Sequence, residues 1–338
     1  MKIAIIIGTR PQYIKAKPLC DLFKNKEFDV SVIDTNQHYS ANMSEVFISD
    51  FNLKIDHNIN ILNVNSLGFL AGCIEKLDNV ISYINPDLVI VIGDTNSTLA
   101  AAIVANKNGI KLAHLESGIR CNNRKRPEEV NRVLVDELSD IHFVSRECDM
   151  SNVSNPIFVG DIDYAFLNEL DSQNKIPDIS YEDWILMTIH RQCNMNENKM
   201  NDIFDLCREL KMVIKFPIHH RTKKIIEQYF CSVPENVQIV EPVSYFNMLK
   251  LLSACCGIIT DSGGISKIAP FFGKKSIIPS IAAEWSETID LGYATHELDS
   301  AWFDDKKIER NKNLYYCDDY KNNILKAIRK VSNVERMV

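Results

Sequence analysis

Acidic side chains follow the ends of neighbouring predicted strands in the first half of the chain. The apolar run Pro86–Ile92 leads to Asp94, the next apolar run leads to Glu116, and Glu128 lies in the following segment Arg126–Arg132. Ligands of open α/β sheets bind beyond the carboxyl ends of the strands, so these three carboxylates are predicted to lie at one edge of one sheet. Such a group suits acid–base chemistry on a small anionic substrate.

Each acidic residue also has a structural explanation. Pro127 and the acids after it fit the first turn of a helix, so Glu129 is predicted to do no more than match the helix dipole. Asp94 is suited to cap the helix predicted near Asn96. Glu116 is harder to explain in this way, because a carboxylate that closes an apolar strand is partly buried and destabilising unless it is used or paired.

Two turns are suited to bind anions. Arg10 and Lys15 follow the first strand in the segment GTRPQYIK, where both cations and a helix N-terminus can meet a phosphate. The segment Ser262–Gly264 follows a later strand, and its paired glycines let the backbone approach an anion closely. Each turn alone is explained as a capped strand-to-helix connection, but two of them together fit a diphosphate.

Histidines end two predicted strands of the second half, at His190 and His219, and each is followed closely by arginine. This placement favours contact with an anion. A metal site formed by His114, Glu116 and these two histidines is conceivable, but no ligand spacing supports it, so no metal is expected. The chain also lacks the G-x-G-x-x-G dinucleotide fingerprint.

Strands alternate with helices along the whole chain. Strands are predicted near residues 2–8, 28–35, 86–93, 111–116, 140–145, 156–160, 183–189, 211–218, 236–241, 256–260 and 275–280. This order predicts an α/β fold with parallel, doubly wound sheets. The polar segment Asn168–Asp183 is the predicted linker. The expected arrangement is two Rossmann-like domains facing a cleft, residues 1–166 and 167–316, with a C-terminal helix in 317–338 that returns to the first domain.

Composition excludes several classes of protein. The 338 residues are 46% apolar, enough for a core in each domain, and carry a net charge of -7, which argues against nucleic acid or an anionic membrane as partner. No apolar run reaches the roughly 20 residues of a membrane span, and the first apolar run is too short for a signal peptide. The ten cysteines show no C-x-x-C pair and are expected to be reduced, which predicts a cytoplasmic protein.

The order of several motifs resembles that of non-hydrolysing UDP-N-acetylglucosamine 2-epimerases. The matching segments, over roughly residues 1–295, are GTRPQYIK, QHYSANM, GDTNSTLA, HLESGIR, RPEEVNR, FPIHHRTKK and TDSGG. Gln12, Asn123-Arg124, Lys267, Lys274 and Glu284-Trp285 are more similar to the branch that acts on UDP-2,3-diacetamido-glucuronate.

The resemblance implies the glycosyltransferase-B fold, a homodimer and an epimerisation without a cofactor. The nucleoside diphosphate leaves by anti elimination across C1–C2, a glycal forms, and re-addition of the diphosphate gives the product with C2 inverted. The implied acid–base residues are Asp94, Glu116, Glu128 and His190. The implied contacts to the nucleotide-diphosphate sugar are Arg10, Lys15, His219, Ser262, Gly263 and Gly264.

Three positions depart from the family pattern. Ile268 replaces a glutamate whose carboxylate accepts hydrogen bonds from the ribose hydroxyls, Cys193 replaces another glutamate, and Ser280 replaces an arginine. An isoleucine cannot accept a hydrogen bond. The hypothesis is that the acid–base half is intact while nucleoside recognition has changed. Two alternatives to epimerisation stay open, a glycosyl transferase of the same architecture and a non-catalytic nucleotide-sugar binding protein.

The replacement at Ile268 predicts weakened or altered nucleotide binding. Calorimetric titration with UDP, CDP, GDP and ADP is expected to give UDP a dissociation constant above the micromolar range, or to give another nucleotide an equal affinity. Micromolar binding of UDP with no rival nucleotide would exclude the hypothesis.

Overall fold

The computed structural model describes residues 1–24, 27–37, 50–61, 65–191, 194–218, 223, 226, 233–279, 285–305 and 307–334. The chain divides into two compact units. Unit 1 comprises Met1–Phe166 and Tyr315–Val338, and unit 2 comprises Leu167–Leu314. Each unit contains one parallel sheet and its helices, so the predicted class of two Rossmann-like α/β domains is confirmed.

In unit 1 the described strands form one seven-stranded parallel sheet with the order β3-β2-β1-β4-β5-β6-β7. They are β1 (Lys2–Ile7), β2 (Asp29–Asp34), β3 (His57–Asn58), β4 (Leu88–Ile92), β5 (Lys111–Ser117), β6 (Ile141–Val144) and β7 (Pro156–Phe158). Every residue of β4 is buried, as expected for a parallel strand covered on both faces. The winding direction reverses between β1 and β4, and this switch point is where such sheets bind ligands.

The helices of unit 1 follow the strands in chain order. They are α1 (Arg10–Phe23), α2 (Ser66–Ile84), α3 (Asn96–Lys107), α4 (Pro127–Leu138), α5 (Ile162–Ser172), which continues into unit 2 at Leu167, and the C-terminal helix Tyr320–Val334. The buried face of α2 carries apolar residues at every fourth position, Phe69, Cys73, Leu77 and Ile81, and packs into the core with α3 and β4. The C-terminal helix is held at β7, where the Asn323 Nδ2 donates to the Phe158 carbonyl at 3.0 Å.

In unit 2 the described strands form a six-stranded parallel sheet with the order β10-β9-β8-β11-β12-β13. They are β8 (Trp184–Thr188), β9 (Val213–Pro217), β10 (Val237–Val240), β11 (Gly257–Thr260), β12 (Lys275–Ile277) and β13 (Ala294–Thr295). The described helices are α6 (Glu197–Glu209), α7 (Tyr245–Ala254), α8 (Gly263–Ile268) and α9 (Glu287–Asp290). The switch point of this sheet lies between β8 and β11.

All predicted strands are present, with ends within three residues of those expected. The strands β3 and β13 were not predicted, because two residues are too few to show a pattern. The predicted linker is wrong at its start, since α5 continues to Ser172. The carboxylate of Asp161 caps this helix by accepting the N–H groups of Asp163 and Tyr164, and the buried Leu167 and Leu170 extend its apolar face into the predicted linker.

A buried amide joins the two turns at the switch point of unit 1. The Oε1 of Gln12 accepts the N–H groups of Gly8 at 2.8 Å and Thr9 at 3.0 Å, which follow β1. Its Nε2 donates to the carbonyl of Ile92, the last residue of β4, at 2.7 Å, and to the hydroxyl of Thr98 at 3.1 Å. Gln12 is only 3% exposed, so these bonds replace water entirely.

A buried carboxylate joins the corresponding turns of unit 2. The Oδ1 of Asp261, which follows β11, accepts the N–H of His190 at 2.9 Å. Its Oδ2 accepts the N–H of Arg191 at 2.8 Å and the Nδ2 of Asn194 at 3.0 Å, both from the segment after β8. At each switch point one buried polar side chain therefore fixes the ends of the two central strands.

Among the described residues, no helix combines the length and the apolarity that crossing a bilayer would demand.

Substitution of Gln12 by methionine is expected to lower the free energy of unfolding by about 2 to 4 kcal/mol, because the buried N–H groups of Gly8 and Thr9 and the carbonyl of Ile92 lose their partner. Urea unfolding measures the change. The same substitution at Gln173, which is exposed, is the control and should be nearly neutral. Equal effects at the two positions would contradict the role assigned to Gln12.

Candidate functional site

Glu116 occupies a strained position at the carboxyl end of β5. Leu115 pairs with Phe143 of β6 and Ser117 pairs with Val144, so Glu116 is the extra residue of a β-bulge. Its φ angle is +70°, in the left-handed region that a residue with a side chain adopts at a cost of about 1 to 2 kcal/mol. Strain of this kind persists only where the surroundings impose it, and it concentrates at functional sites.

The carboxylate of Glu116 is paired with a buried ammonium. Its Oε1 lies 2.7 Å from the Nζ of Lys15, and the two side chains are 12% and 8% exposed. The Oδ2 of Asp163 lies 3.9 Å from the same ammonium. Burial by itself would lower the pKa of Lys15, but the carboxylates of Glu116 and Asp163 outweigh burial and raise it. Lys15 therefore stays charged and forms a salt bridge with Glu116.

Lys15 and Arg10 have different surroundings, although the sequence predicts that both meet a phosphate. Arg10 is the first residue of α1 and is partly exposed at the switch point, where burial lowers its pKa. Lys15 is 6% exposed and points to the carboxylates. Of the two cations, Arg10 is thus the one placed at the helix N-terminus.

Asp94 lies in the turn that follows β4, next to Gly93, which adjoins Glu116. A Cβ atom on the neighbouring Gly93 would lie 3.1 Å from the Glu116 Oε2, so the turn and the bulge are in contact. The Asp94 Oδ2 lies 2.5 Å from a guanidinium nitrogen of Arg132, and the Asp94 carbonyl accepts from the Asn131 Nδ2 at 2.8 Å. Helix α4 therefore holds Asp94 at both its side chain and its backbone.

The prediction that Asp94 caps α3 is wrong. Thr95 is the N-cap residue, and its hydroxyl accepts the N–H of Thr98 at 3.2 Å. The carboxylate of Asp94 is thereby left for Arg132, and it is 27% exposed, which leaves it accessible to a ligand.

The two acids that begin α4 have separate roles. Glu128 is exposed. Glu129 is 1% exposed and accepts the N–H groups of Cys121 at 2.9 Å and Asn122 at 3.0 Å. Burial opposes the charge of Glu129, but these hydrogen bonds and the guanidinium of Arg132 lower its pKa. The prediction that Glu129 only matches the helix dipole is wrong, because this carboxylate fixes the loop before α4.

His114 is an internal residue of β5 and is fully buried. Its Nδ1 lies 2.6 Å from the Asp136 Oδ1, and its Nε2 lies 2.8 Å from the Gly93 carbonyl. The ring therefore links β5 to α4 and to the turn after β4, and it does not reach the edge where the sequence places it with the carboxylates. Within the described ranges, no three His, Cys, Asp or Glu side chains form a group that could hold a metal ion.

In unit 2 the side chain of His190 is accessible. It is 56% exposed, and its Nδ1 lies 3.2 Å from the Oδ1 of the buried Asp261. The Asp261 carboxylate thus orients the His190 ring through its Nδ1, while the opposite edge of the ring faces outward. His190 is placed to exchange a proton or to contact an anion at the end of β8.

Ser262 is the N-cap of α8, and its hydroxyl accepts the N–H of Ile265 at 3.5 Å. Gly263 and Gly264 form the first turn. Among the described residues, a Cβ atom on Gly264 would have only the Ser262 hydroxyl within reach, at 4.0 Å, so these residues leave the backbone there open to an approaching ligand. The sequence-predicted residue His219 and the departures Cys193 and Ser280 lie outside the described residues, as does Glu284.

The side chains at the end of α8 are buried. Ile268, where the family pattern has a glutamate, is 8% exposed. Its neighbour Lys267 is 1% exposed and lies over the ring of Trp285, with the Nζ 4.8 Å from the ring centroid. Lys267 and Trp285, two of the residues that resemble the diacetamido-glucuronate branch, therefore contact each other.

Sequence reasoning missed the polar face of α4. Glu129, Arg132 and Asp136 are all buried, and their spacing of three and four residues places them on one side of the helix. A row of charges at helical spacing, after a strand that ends in a carboxylate, was the available signal. Charged residues at helical spacing usually lie on a solvated face, so the sequence alone does not predict that this face of α4 is buried.

This chain is similar to known proteins both in sequence and in structure. A family model described as UDP-N-acetylglucosamine 2-epimerase matches residues 21–301. A UDP-N-acetylglucosamine 2-epimerase homolog of Methanococcus maripaludis is 37% identical over 314 residues and 87% of each chain. The UDP-2,3-diacetamido-2,3-dideoxy-D-glucuronate 2-epimerase of Pseudomonas aeruginosa is 34% identical over 86% of this chain and 87% of its own.

A crystal structure of the UDP-GlcNAc 2-epimerase of Methanocaldococcus jannaschii, in complex with UDP-GlcNAc and UDP, superposes with a TM-score of 0.85. It is 28% identical and covers 98% of this chain and 100% of its own. The resemblance seen in the ordered motifs is confirmed by these matches. The chain belongs to the UDP-N-acetylglucosamine 2-epimerase family.

Proposed function

We propose that this chain is a nucleotide-sugar 2-epimerase that inverts C2 of UDP-N-acetylglucosamine or of a UDP-linked diacetamido-uronate. Family membership supports the reaction class. The observation that carries the proposal is the pair of carboxylates Glu116 and Asp94, which adjoin the switch point of unit 1 and each face a buried cation. A reaction that moves a proton on carbon next to a departing diphosphate requires groups of this kind.

The reaction breaks the C2–H bond and the C1–O bond and forms a double bond between C1 and C2. A carboxylate takes the proton from C2, and the electron pair of the C1–O bond leaves with the diphosphate. Re-addition of the diphosphate and return of a proton to the opposite face of C2 give the epimer. Asp94, Glu116 and Glu128 are the proposed acid–base residues, with His190 as a fourth.

The cations are proposed to have two roles: some pair with the acid–base carboxylates, and others bind the diphosphate. Lys15 and Arg132 pair with the carboxylates of Glu116 and Asp94, the proposed proton acceptors. Arg10, the turn of Ser262, Gly263 and Gly264, and His219 are proposed to bind the diphosphate. Three of the four proposed acid–base residues thus lie in unit 1, and most of the proposed diphosphate contacts lie in unit 2.

The choice between the two sugars depends on the loop before α4. Glu129 anchors this loop, and Arg124 and Lys125 are exposed on it, directly before the helix that presents Glu128. Cations at this position favour a sugar that carries its own carboxylate, such as a uronate. The 34% identity to the diacetamido-glucuronate 2-epimerase supports the same choice.

We expect wild-type enzyme to exchange solvent deuterium into C2 of its nucleotide sugar without any acceptor. Proton NMR in deuterium oxide, with UDP-N-acetylglucosamine and the diacetamido-uronate compared, measures the rate. Glu116→Gln and Asp94→Asn are each expected to lower that rate by about 10²- to 10⁴-fold, because each removes a proton acceptor. Glu137→Gln, on an exposed position of α4, is the matched control.

The same experiment separates the alternatives. A glycosyl transferase forms product only when an acceptor is added and leaves C2 unlabelled. A non-catalytic binding protein binds the nucleotide sugar but gives no exchange over hours. Near-wild-type exchange by either carboxylate variant would remove that residue from the acid–base group.

A homodimer in the cytoplasm is the proposed state of the protein. Unit 1 exposes large apolar side chains on α2 and α4, with Leu67 74%, Tyr83 82% and Leu134 42% exposed, as suits a subunit interface. The free thiols of the described cysteines suit a reducing compartment. Light scattering at micromolar concentration is expected to give twice the mass of the chain, and a monomer would exclude the dimer.

A further inference from the structure

Asp136 contacts the residues on both sides of Glu116 but not Glu116 itself. Its Oδ1 accepts from the His114 Nδ1 and from the Ser117 hydroxyl, each at 2.6 Å. Its Oδ2 accepts the N–H of Gly118 at 3.1 Å and lies 2.6 Å from a guanidinium nitrogen of Arg120. One carboxylate on α4 therefore holds the chain two residues before the bulge and at three positions after it.

The hydrogen bonds around Asp136 specify a charged carboxylate. Burial opposes the charge, but the donors around it, His114 first, outweigh burial and lower the pKa of Asp136. The side chain is 5% exposed, so water does not compete for its oxygens. The Ser117 hydroxyl gives its hydrogen to Asp136 and accepts from the His142 Nδ1 at 3.0 Å, which extends the network to β6.

The conformation of Glu116 requires a restraint of this kind. With a φ angle of +70°, the residue would relax toward the extended region if its neighbours were free. Relaxation would turn the carboxylate away from Lys15, which lies 2.7 Å from it. Gly118, two residues later, also has a positive φ angle, of +84°, which glycine adopts without strain, so Glu116 is the strained residue that the network surrounds.

The same helix also positions Asp94. Asn131 and Arg132 bind its carbonyl and its carboxylate, and Asp136 lies one turn later on α4. One rigid element thereby contacts the chain around both proposed acid–base carboxylates. A helix bonded to the ends of β4 and β5 fixes their separation more firmly than either turn does alone.

We propose that Asp136 is a positioning residue that fixes the Glu116 bulge and, through α4, the spacing of Glu116 from Asp94. The proposal rests on the proposed epimerase function for its kinetic consequences. Asp136 acts through Glu116 and does not touch the substrate. Its loss therefore reduces turnover and leaves substrate affinity nearly unchanged.

The test uses Asp136→Asn, which keeps the shape but offers one acceptor oxygen and adds a donor where Asp136 receives hydrogen bonds. We expect kcat to fall by about 10- to 100-fold with KM changed less than about threefold, as for a misplaced catalytic group. Asp140→Asn is the matched control, because Asp140 binds the Leu112 N–H and Lys111 at the opposite end of the same strand. That variant should keep wild-type kinetics.

A double-mutant cycle separates positioning from a general structural role. Glu116→Gln combined with Asp136→Asn is expected to be no slower than Glu116→Gln alone, because Asp136 has no further effect once the carboxylate is absent. Losses that multiply would overturn the proposal. If Asp136→Asn does not fold, Ser117→Ala removes one hydroxyl of the network, with its bonds to Asp136 and His142, and should show the same split between kcat and KM with a smaller loss.

A crystal structure of the Asp136→Asn variant tests the proposal without any assay. The expected result is a Glu116 outside the left-handed region, with its contact to Lys15 broken. Retention of both features would overturn the positioning role. Absence of C2 exchange in the wild-type protein would instead refute the proposed function, and the structure of the variant would still decide what Asp136 does.

Discussion

The buried ion pair between Lys15 and Glu116 is the interaction on which the arrangement of unit 1 depends. Lys15 comes from the helix after β1 and Glu116 from the end of β5, and β4 lies between these two strands in the sheet. Two charges removed from water are stable only when their geometry is good and other hydrogen bonds support them. The pair can therefore form only when all three strands have their native order and register.

Helix α4 supplies the support that this pair requires. It buries a row of charged side chains against the strand ends, where an ordinary amphipathic helix would bury apolar ones. Each of these charges has partners: Glu129 binds the preceding loop, Arg132 binds Asp94, and Asp136 binds the bulge. Apolar residues would give a simpler core at this edge, but they could not form the ion pair with Asp94 or the hydrogen bonds to the bulge.

The sequence was sufficient to predict the strands, their parallel order and the edge at which polar residues gather, because strand patterns and βα connections are local features. It was not sufficient to decide which acids face that edge. Glu128 and Glu129 are neighbours of the same type, and only the rotation of α4 against the sheet exposes one and buries the other. The partner of Lys15 and the bulge at Glu116 likewise depend on contacts between elements distant in sequence.

At its switch point each unit joins the ends of its two central strands through one buried polar side chain, the amide of Gln12 in unit 1 and the carboxylate of Asp261 in unit 2. The hydrogen-bond donors and acceptors at those strand ends explain the difference. Gln12 must accept hydrogen bonds from two N–H groups after β1 and also donate to the Ile92 carbonyl, which only a group with both a donor and an acceptor can do. An amide meets that requirement. Asp261 accepts hydrogen bonds from three described donors, the N–H groups of His190 and Arg191 and the amide of Asn194.

A carboxylate suits a site with three donors, since it accepts at both oxygens and its charge strengthens each bond. It also gives unit 2 a fixed negative charge beneath the exposed ring of His190. An amide at this position would offer one acceptor and force a donor against a donor. The choice of side chain at each switch point thus follows from the donors and acceptors that the adjoining strand ends present, and in unit 2 it orients a residue of the proposed acid–base group.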